Sequence, residues 1–316
     1  MRYEALSVLD VKKDKELWKT KMAIQHTKSQ EPNGEWIKAG DLNMYYLDWS
    51  QEGESVITLH GAASSCHWYD LVMPYIQNDF RLMSIDQRGH GKTDQLGTGY
   101  DWATLSEDII NFMDQLELSE AHIVGHSWGA SVALNIASRN PSRVLSLTLI
   151  DGGFSASPRS DEMTWEDFKY RLRPRDIYGD LERYIGILRN QFMHCWTDKL
   201  EHILMTMVRQ DDDGSVHERL KLSNQQQMLW AMWSDPTYLQ LPLVKCPTLL
   251  VPAGGRSVDS THQINQRRVE RVEGTRAMMD NCVVEWIENT GHDIGYEQPE
   301  QLAHALERFF HSVGRR

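Results

Sequence analysis

The sequence predicts an α/β chain built on a mostly parallel sheet, with a block of helices inserted late in the strand order. Short β-branched or aliphatic runs at Ser55–His60, Arg81–Asp86, Ala121–Gly125 and Leu145–Ile150 are separated by helix-length segments, the alternation that makes a parallel sheet. The alternation resumes at Thr248–Val251 and Cys282–Trp286. Between Phe154 and Lys245 it stops.

Taken in chain order, residues 1–34 form a polar, helix-prone arm. Its Leu17, Trp18, Met22 and Ile24 fall at rough helical spacing and would suit a homodimer contact. Glu35–Trp49 reads as two strands around a Gly40-Asp41 turn, an antiparallel hairpin that opens the core. The core then comprises 35–153 and 246–316. The insertion, 154–245, holds four helix-like stretches without a convincing strand: Trp165–Leu172, Leu181–Phe192, Lys199–Val208 and Gln225–Trp233. Thr164 and Ser223 stand where N-caps belong, and Asp167 follows Thr164 as in a capping box. Such an insertion would cover one end of the sheet and shape a pocket. The acidic trio Asp211, Asp212 and Asp213 reads as a solvated turn, since a calcium site needs further oxygen ligands.

The 316 residues suit one large domain with an insertion or two ordinary domains. With 41% hydrophobic and 25% charged residues, and only 21 Gly and 10 Pro, collagen-like and disordered readings are excluded. The net charge of −12 sets up a field that repels nucleic acid and anionic membrane surfaces. No apolar run approaches the ~18 residues of a membrane span. The first twenty residues lack the apolar stretch of a secretory signal, so the expectation is a soluble, cytoplasmic protein acting on a small molecule. Cys66, Cys195, Cys246 and Cys282 have neither C-x-x-C nor zinc-finger spacing and read as reduced thiols. No metal or organic cofactor is indicated.

The sharpest local signal is Gly125-His126-Ser127-Trp128-Gly129, a G-x-S-x-G run directly after a strand and directly before a helix. Small residues two positions either side of the serine are what a very sharp strand-to-helix turn requires. A serine hydroxyl becomes a nucleophile only when a base takes its proton. His292 is the one histidine in the loop after the last core strand, whereas His304 and His311 fall inside the final helix. A tetrahedral intermediate needs backbone donors for its oxyanion, and the N–H groups of Trp128 and Ala62 are placed to supply them. His60 is read chiefly as a residue shaping the oxyanion loop and secondarily, with Ala63, Trp68 and Trp230, as a lining residue of the substrate pocket. The wider set of Trp, Tyr, Phe and Met side chains in the insertion suits an apolar, adaptable site.

These residues resemble the α/β-hydrolase superfamily over nearly the whole chain from about Glu35. The matches fall in order: His60-Gly61-Ala62 to the H-G-x oxyanion loop, Asp86, Arg88, Gly89, Gly91 and Thr93 to D-x-R-G-x-G-x-[ST], the serine turn, and Gly291-His292 with Glu297 and Pro299 to the late G-H and E-x-P. The resemblance implies an eight-stranded core with a helical cap inserted after the sixth strand. It also implies an acid to orient His292, and here the chain departs from the usual pattern. The loop after the seventh strand holds Arg256 or Ser257 where an acid commonly falls. Asp259 is the nearest carboxylate there, and Asp151, at the end of the sixth strand, is the alternative that some members use. Asp151 is preferred.

A serine at the turn points to acyl transfer, whereas the haloalkane dehalogenases and epoxide hydrolases of this fold use an aspartate. His60-Gly61-Ala62-Ala63 also differs from the H-G-G-P-G of proline iminopeptidases, and His126 stands where carbon–carbon bond hydrolases carry asparagine. The expected activity is cofactor-independent hydrolysis of a carboxylic ester or lactone of small to medium, largely apolar character. The alternatives are a cofactor-free perhydrolase or haloperoxidase-type activity, a carbon–carbon bond hydrolase, and a non-catalytic ligand-binding protein on the same scaffold.

Overall fold

The computed structural model describes residues 31–76, 79–154, 163–172, 177–255 and 262–313. The N-terminal arm before Glu31 and Asp259 lie outside the described residues. The hairpin strands are β1 (Asn33–Ala39) and β2 (Leu42–Asp48), and Ala39 pairs with Leu42 across a two-residue turn. Gly40 makes that turn at φ +61°, a conformation that costs glycine little. The strand thus begins two residues before the expected core boundary.

The remaining strands of the main sheet are β3 (Glu54–Leu59), β4 (Phe80–Ile85), β5 (Ala121–His126), β6 (Val144–Ile150), β10 (Thr248–Val251) and β11 (Cys282–Val284). Their spatial order is β1-β2-β4-β3-β5-β6-β10-β11, eight strands in all. Strand β2 runs antiparallel to both its neighbours, β1 and β4, and every pairing from β4 to β11 is parallel. This is the mostly parallel, eight-stranded α/β sheet expected, with β5 at its centre.

Parallel strands buried on both faces read as near-continuous apolar runs, because successive side chains go to opposite sides and both sides are covered. Val56 and Val124 pack into one cluster, and their neighbours Ile57 and Ile123 into the other. One face is covered by α1 (Trp102–Gln115) and α2 (Trp128–Arg139). In α1 the buried residues Trp102, Leu105, Ile109, Phe112 and Met113 follow helical spacing. The other face is covered by the turn Cys66–Tyr69 and the C-terminal helix Pro299–Ser312, whose Leu302, Leu306, Phe309 and Phe310 point inward.

The segment between β6 and β10 carries α3 (Trp165–Arg171), β7 (Gly179–Asp180), α4 (Leu181–Gln191), α5 (Asp198–Thr206), β8 (Val208–Gln210), β9 (Ser215–Glu218) and α6 (Leu222–Ser234). The four helices fall where the sequence puts them, and Thr164 with Asp167 forms the expected capping box. Two details differ. The segment also holds a small antiparallel sheet, β7-β9-β8, whose strands of two to four residues are too short for an alternation to show. Helix α6 starts at Leu222 after Lys221, so Ser223 lies in its first turn and is not its cap. The acidic trio forms the β8–β9 turn: Arg209 engages Asp211, and Asp213 accepts the Ser215 N–H.

Arg88 and Asp108 are a buried charge pair. Arg88 forks onto Asp108 through Nε and Nη2, at 2.7 and 2.6 Å, and both side chains are about 95% covered. Removing one partner strands the other charge away from water. Asp108→Ala is therefore expected to destabilise the protein by about 3–5 kcal/mol, read from urea unfolding. A loss under about 1 kcal/mol would show that water or the exposed Asp41, 3.8 Å from Arg88, takes over the guanidinium.

Candidate active site

Ser127 occupies the turn between β5 and α2 at φ +55° and ψ −117°, a conformation that non-glycine residues rarely adopt. The turn is tight enough that a Cβ on Gly125 would collide with the carbonyl of Gly129, and one on Gly129 with the carbonyls of Leu59 and His60. The serine N–H is tied to the Ile150 carbonyl at 2.9 Å, which fixes the turn to the end of β6.

That same strand end carries Asp151, itself at φ +39°. Ser127 Oγ lies 2.9 Å from His292 Nε2, and His292 Nδ1 lies 2.7 Å from Asp151 Oδ2. With Nδ1–H donating to the carboxylate, Nε2 is left free to accept the serine proton. The other carboxylate oxygen, Oδ1, accepts the Ala253 N–H at 3.0 Å and stands 3.4 Å from Arg268 Nη1. Burial alone would raise the Asp151 pKa. Its hydrogen bond and charge interaction with His292, together with Arg268 and the Ala253 N–H, more than offset that and hold it below the ordinary carboxylate range.

For His292 burial acts downward, and the bond to Asp151 with the charges of Asp293 and Asp151 more than offsets it, leaving the imidazole above 6.5. Ala62 and Trp128 both line the cavity beside Ser127, on opposite segments of chain. The arrangement joins a serine hydroxyl, an imidazole and a carboxylate in one hydrogen-bonded chain, beside the two residues whose amides the sequence marks as oxyanion donors.

A profile of the alpha/beta hydrolase fold matches residues 54–209. The chain is 32% identical over 153 residues to a non-heme chloroperoxidase of Streptomyces lividans, covering 48% of this chain and 53% of that protein. It is 28% identical over 150 residues to a haloalkane dehalogenase of Mesorhizobium japonicum, covering 48% of this chain and 47% of that protein. The matches thus span about half the length of these relatives. The crystal structure of E-2-(acetamidomethylene)succinate hydrolase superposes with a TM-score of 0.73 at 20% identity, over 89% of this chain and 99% of that one, which extends the likeness in fold. The chain has the α/β-hydrolase fold.

Not every residue expected at the site lies there. Ala63 lines the cavity at φ +55°, and Trp68 forms part of its wall. His60 does not line it. It is fully buried behind the oxyanion loop, where Nδ1–H donates to the Gly61 carbonyl and Nε2 accepts the Gln87 N–H, so both ring nitrogens are spent on the loop's shape. Trp230 is 52% exposed and lines a separate groove with Trp165. On α6 the residues 225, 228, 229 and 232 turn toward Ser127, while 226, 227 and 230 face outward, so the helix phase excludes Trp230.

Other residues at the site escape sequence reasoning. Arg268 reaches Asp151 from a polar helix, His262–Ala277, with no apolar stripe to orient it. Gln225 stands where two lobes of the cavity meet. Glu297, noted only as part of a motif, accepts the Gly291 N–H at 3.1 Å and pairs with His194 of the insertion at 3.2 Å.

The raised pKa of His292 makes a pH prediction. The imidazole must be neutral to take the serine proton, so the rate at which an organophosphonate labels Ser127 should fall on acidification through a value above 6.5. Asp151→Asn removes the carboxylate that raises it and should move that limb to lower pH. A limb that stays in place in Asp151→Asn would show that the carboxylate does not govern the base.

Proposed function

We propose that the protein is a cofactor-independent serine hydrolase that cleaves a carboxylic ester or lactone of small to medium size through an acyl-enzyme. The observation that carries this reading is the unbroken hydrogen-bond chain from Ser127 through His292 to Asp151, at 2.9 and 2.7 Å. In the first half-reaction Ser127 Oγ attacks the carbonyl carbon as His292 Nε2 takes its proton. The carbonyl oxygen becomes an oxyanion held by the Trp128 and Ala62 amides, where fixed donors replace mobile water. Asp151 stabilises the imidazolium. His292 then gives the proton to the leaving oxygen, and the acyl-serine ester remains. In the second half-reaction water, deprotonated by His292, attacks that ester, and the carboxylic acid and free serine result.

The cavity favours a substrate with two distinct ends. Ala62, Ser127 and Gln225 line two lobes, of about 400 and 390 Å³. Both volumes fall at the lower end of the ~300–1,000 Å³ common for ligand pockets, hence the modest substrate. Because His292 protonates the departing oxygen, the leaving group belongs in the lobe that His292 lines, with Tyr178, Tyr184 and Asp293. The acyl part then occupies the other lobe, walled by Phe154, Phe168, Met228, Leu229 and Met232. Its apolar walls suit an alkyl or aryl acyl group.

A second reading has support in one relative. A bifunctional esterase/perhydrolase of Acinetobacter calcoaceticus is 26% identical over 155 residues. In perhydrolysis hydrogen peroxide replaces water in the second half-reaction, and a peracid leaves in place of the acid.

The test is turnover of p-nitrophenyl esters of increasing acyl length. Ser127→Ala and His292→Ala are expected to lose about 10⁴-fold or more in kcat, and Asp151→Asn a comparable factor. Wild type that hydrolyses no ester and takes no phosphonate label would overturn the reading. A crippled Asp259→Asn beside an intact Asp151→Asn would move the acid to the other carboxylate. Met228→Trp is expected to shorten the longest acyl chain accepted while leaving acetate turnover within about 3-fold. An unchanged chain profile would remove the acyl group from that lobe.

A further inference from the structure

The loop that carries His292 is held by three successive contacts, and two of them come from a pair of stacked rings. Gly291 N–H is taken by Glu297. The His292 carbonyl lies 3.0 Å from His126 Nε2. The Asp293 carboxylate accepts Trp68 Nε1–H at 3.3 Å. The rings of Trp68 and His126 stack 4.0 Å apart with an interplanar angle of 15°. Their two N–H groups thus grip adjacent residues of one short loop. Gly295 permits the arrangement, since a Cβ there would stand 2.8 Å from the Trp68 ring.

We propose that His126, stacked on Trp68, is a positioning residue that clamps the 292–293 backbone and so aims His292 Nε2 at Ser127 Oγ. The proposal rests on the serine-hydrolase reading of the site. His126 precedes the nucleophile in sequence, so the clamp links the two reacting residues through a single peptide step on one side and a single hydrogen bond on the other.

The protonation state is set by the surroundings. The partner of Nε2 is a carbonyl, so that nitrogen must carry the proton. Nδ1 is buried beside Gly61 with no hydrogen-bond partner among the described residues, and a proton there would be stranded. Burial, aided by the nearby His292, holds the ring's pKa down to about 3, against the opposing pull of the His292 carbonyl and Asp151. The ring therefore stays neutral and keeps one donor across the range in which His292 titrates. A residue that changed charge there would repel the imidazolium formed during reaction, because the two ring centroids are 4.8 Å apart.

Misplacing a reacting group by about 1 Å can lower a rate about 10²-fold. His126→Phe keeps a ring for Trp68 and loses the donor. It is expected to lower kcat by about 10–100-fold with KM within about 3-fold, and to slow phosphonate labelling of Ser127 by the same factor. His126→Gln, whose Nε2 can reach the same carbonyl, should recover most of both rates. Should His126→Phe fail to fold, His126→Leu applies the same test, since it too removes the donor to the His292 carbonyl. Labelling and kcat at wild-type level in His126→Phe or His126→Leu, with wild type reactive, would overturn the clamp and leave the hydrolase reading intact. Equal losses in His126→Phe and His126→Gln would also overturn it, because the donor would then not matter. Wild type inert to phosphonate would overturn the hydrolase reading and the clamp with it.

Discussion

The turn at Ser127 is the constraint around which the site is arranged. A non-glycine residue at φ +55° and ψ −117° is strained by on the order of 1–3 kcal/mol, and such a residue persists only where its surroundings over-determine it. Here they do. The serine N–H is bound to Ile150, its carbonyl accepts Ala130 N–H, and the backbones of β3 and α2 close in where Gly129 has no side chain. Three segments distant in sequence are thereby drawn to one point: the end of β3 with the oxyanion loop, the end of β5 with the nucleophile, and the end of β6 with Asp151. Parallel strands make this natural, because all their C-terminal ends emerge on the same edge of the sheet.

Electrostatics sets His292 apart from the histidines around it. His60, His90, His122 and His126 are all pushed below the ordinary histidine value, in each case first by burial; His90 and His122 fall to about 4 and His126 to about 3. His292 goes the other way because an aspartate holds its Nδ1–H. His90 and His126 also stack on the indoles of Trp128 and Trp68, so the neutral imidazoles serve as packing around the site. A chain with several histidines near its nucleophile thus presents one that can gain and lose a proton at moderate pH. Environment assigns the role, not residue type.

How far the sequence could be read follows from the same physics. The serine turn was legible because its backbone demands glycines at fixed offsets, and the sheet because strands buried on both faces leave apolar runs. His292 was legible from its place in the last core loop. The sequence favours Asp151 without excluding Asp259, because a carboxylate at a strand end and one before a helix-like run carry the same local signal; in the structure Asp151 Oδ2 lies 2.7 Å from His292 Nδ1. Trp230 and His60 were misplaced for a related reason. Composition marks a residue as aromatic or basic, but helix phase and loop direction decide whether it faces the cavity or the core. Arg268 shows the limit most plainly, since a long side chain on a helix without a stripe can reach anything within its length.

The inserted segment is tied to the core at the points where the two halves of the cavity are made. Asn224 donates to Tyr100 Oη and the Leu96 carbonyl, Trp102 Nε1–H to the Asp235 carbonyl, and Ser65 meets Thr206 at 2.7 Å. About half of the residues lining each lobe come from the inserted segment, while Ser127, His292 and Asp151 come from strand ends and loops of the core. Substrate preference can change through α3 to α6 without moving Ser127, His292 or Asp151. One contact breaks this separation. The Glu297 side chain is only 2% exposed and holds both His194 of the insertion and the Gly291 N–H beside His292, so the position of the insertion and the placement of His292 share a carboxylate. At that point the two parts of the chain are not independent, because one carboxylate ties a residue of the insertion to the loop that carries His292.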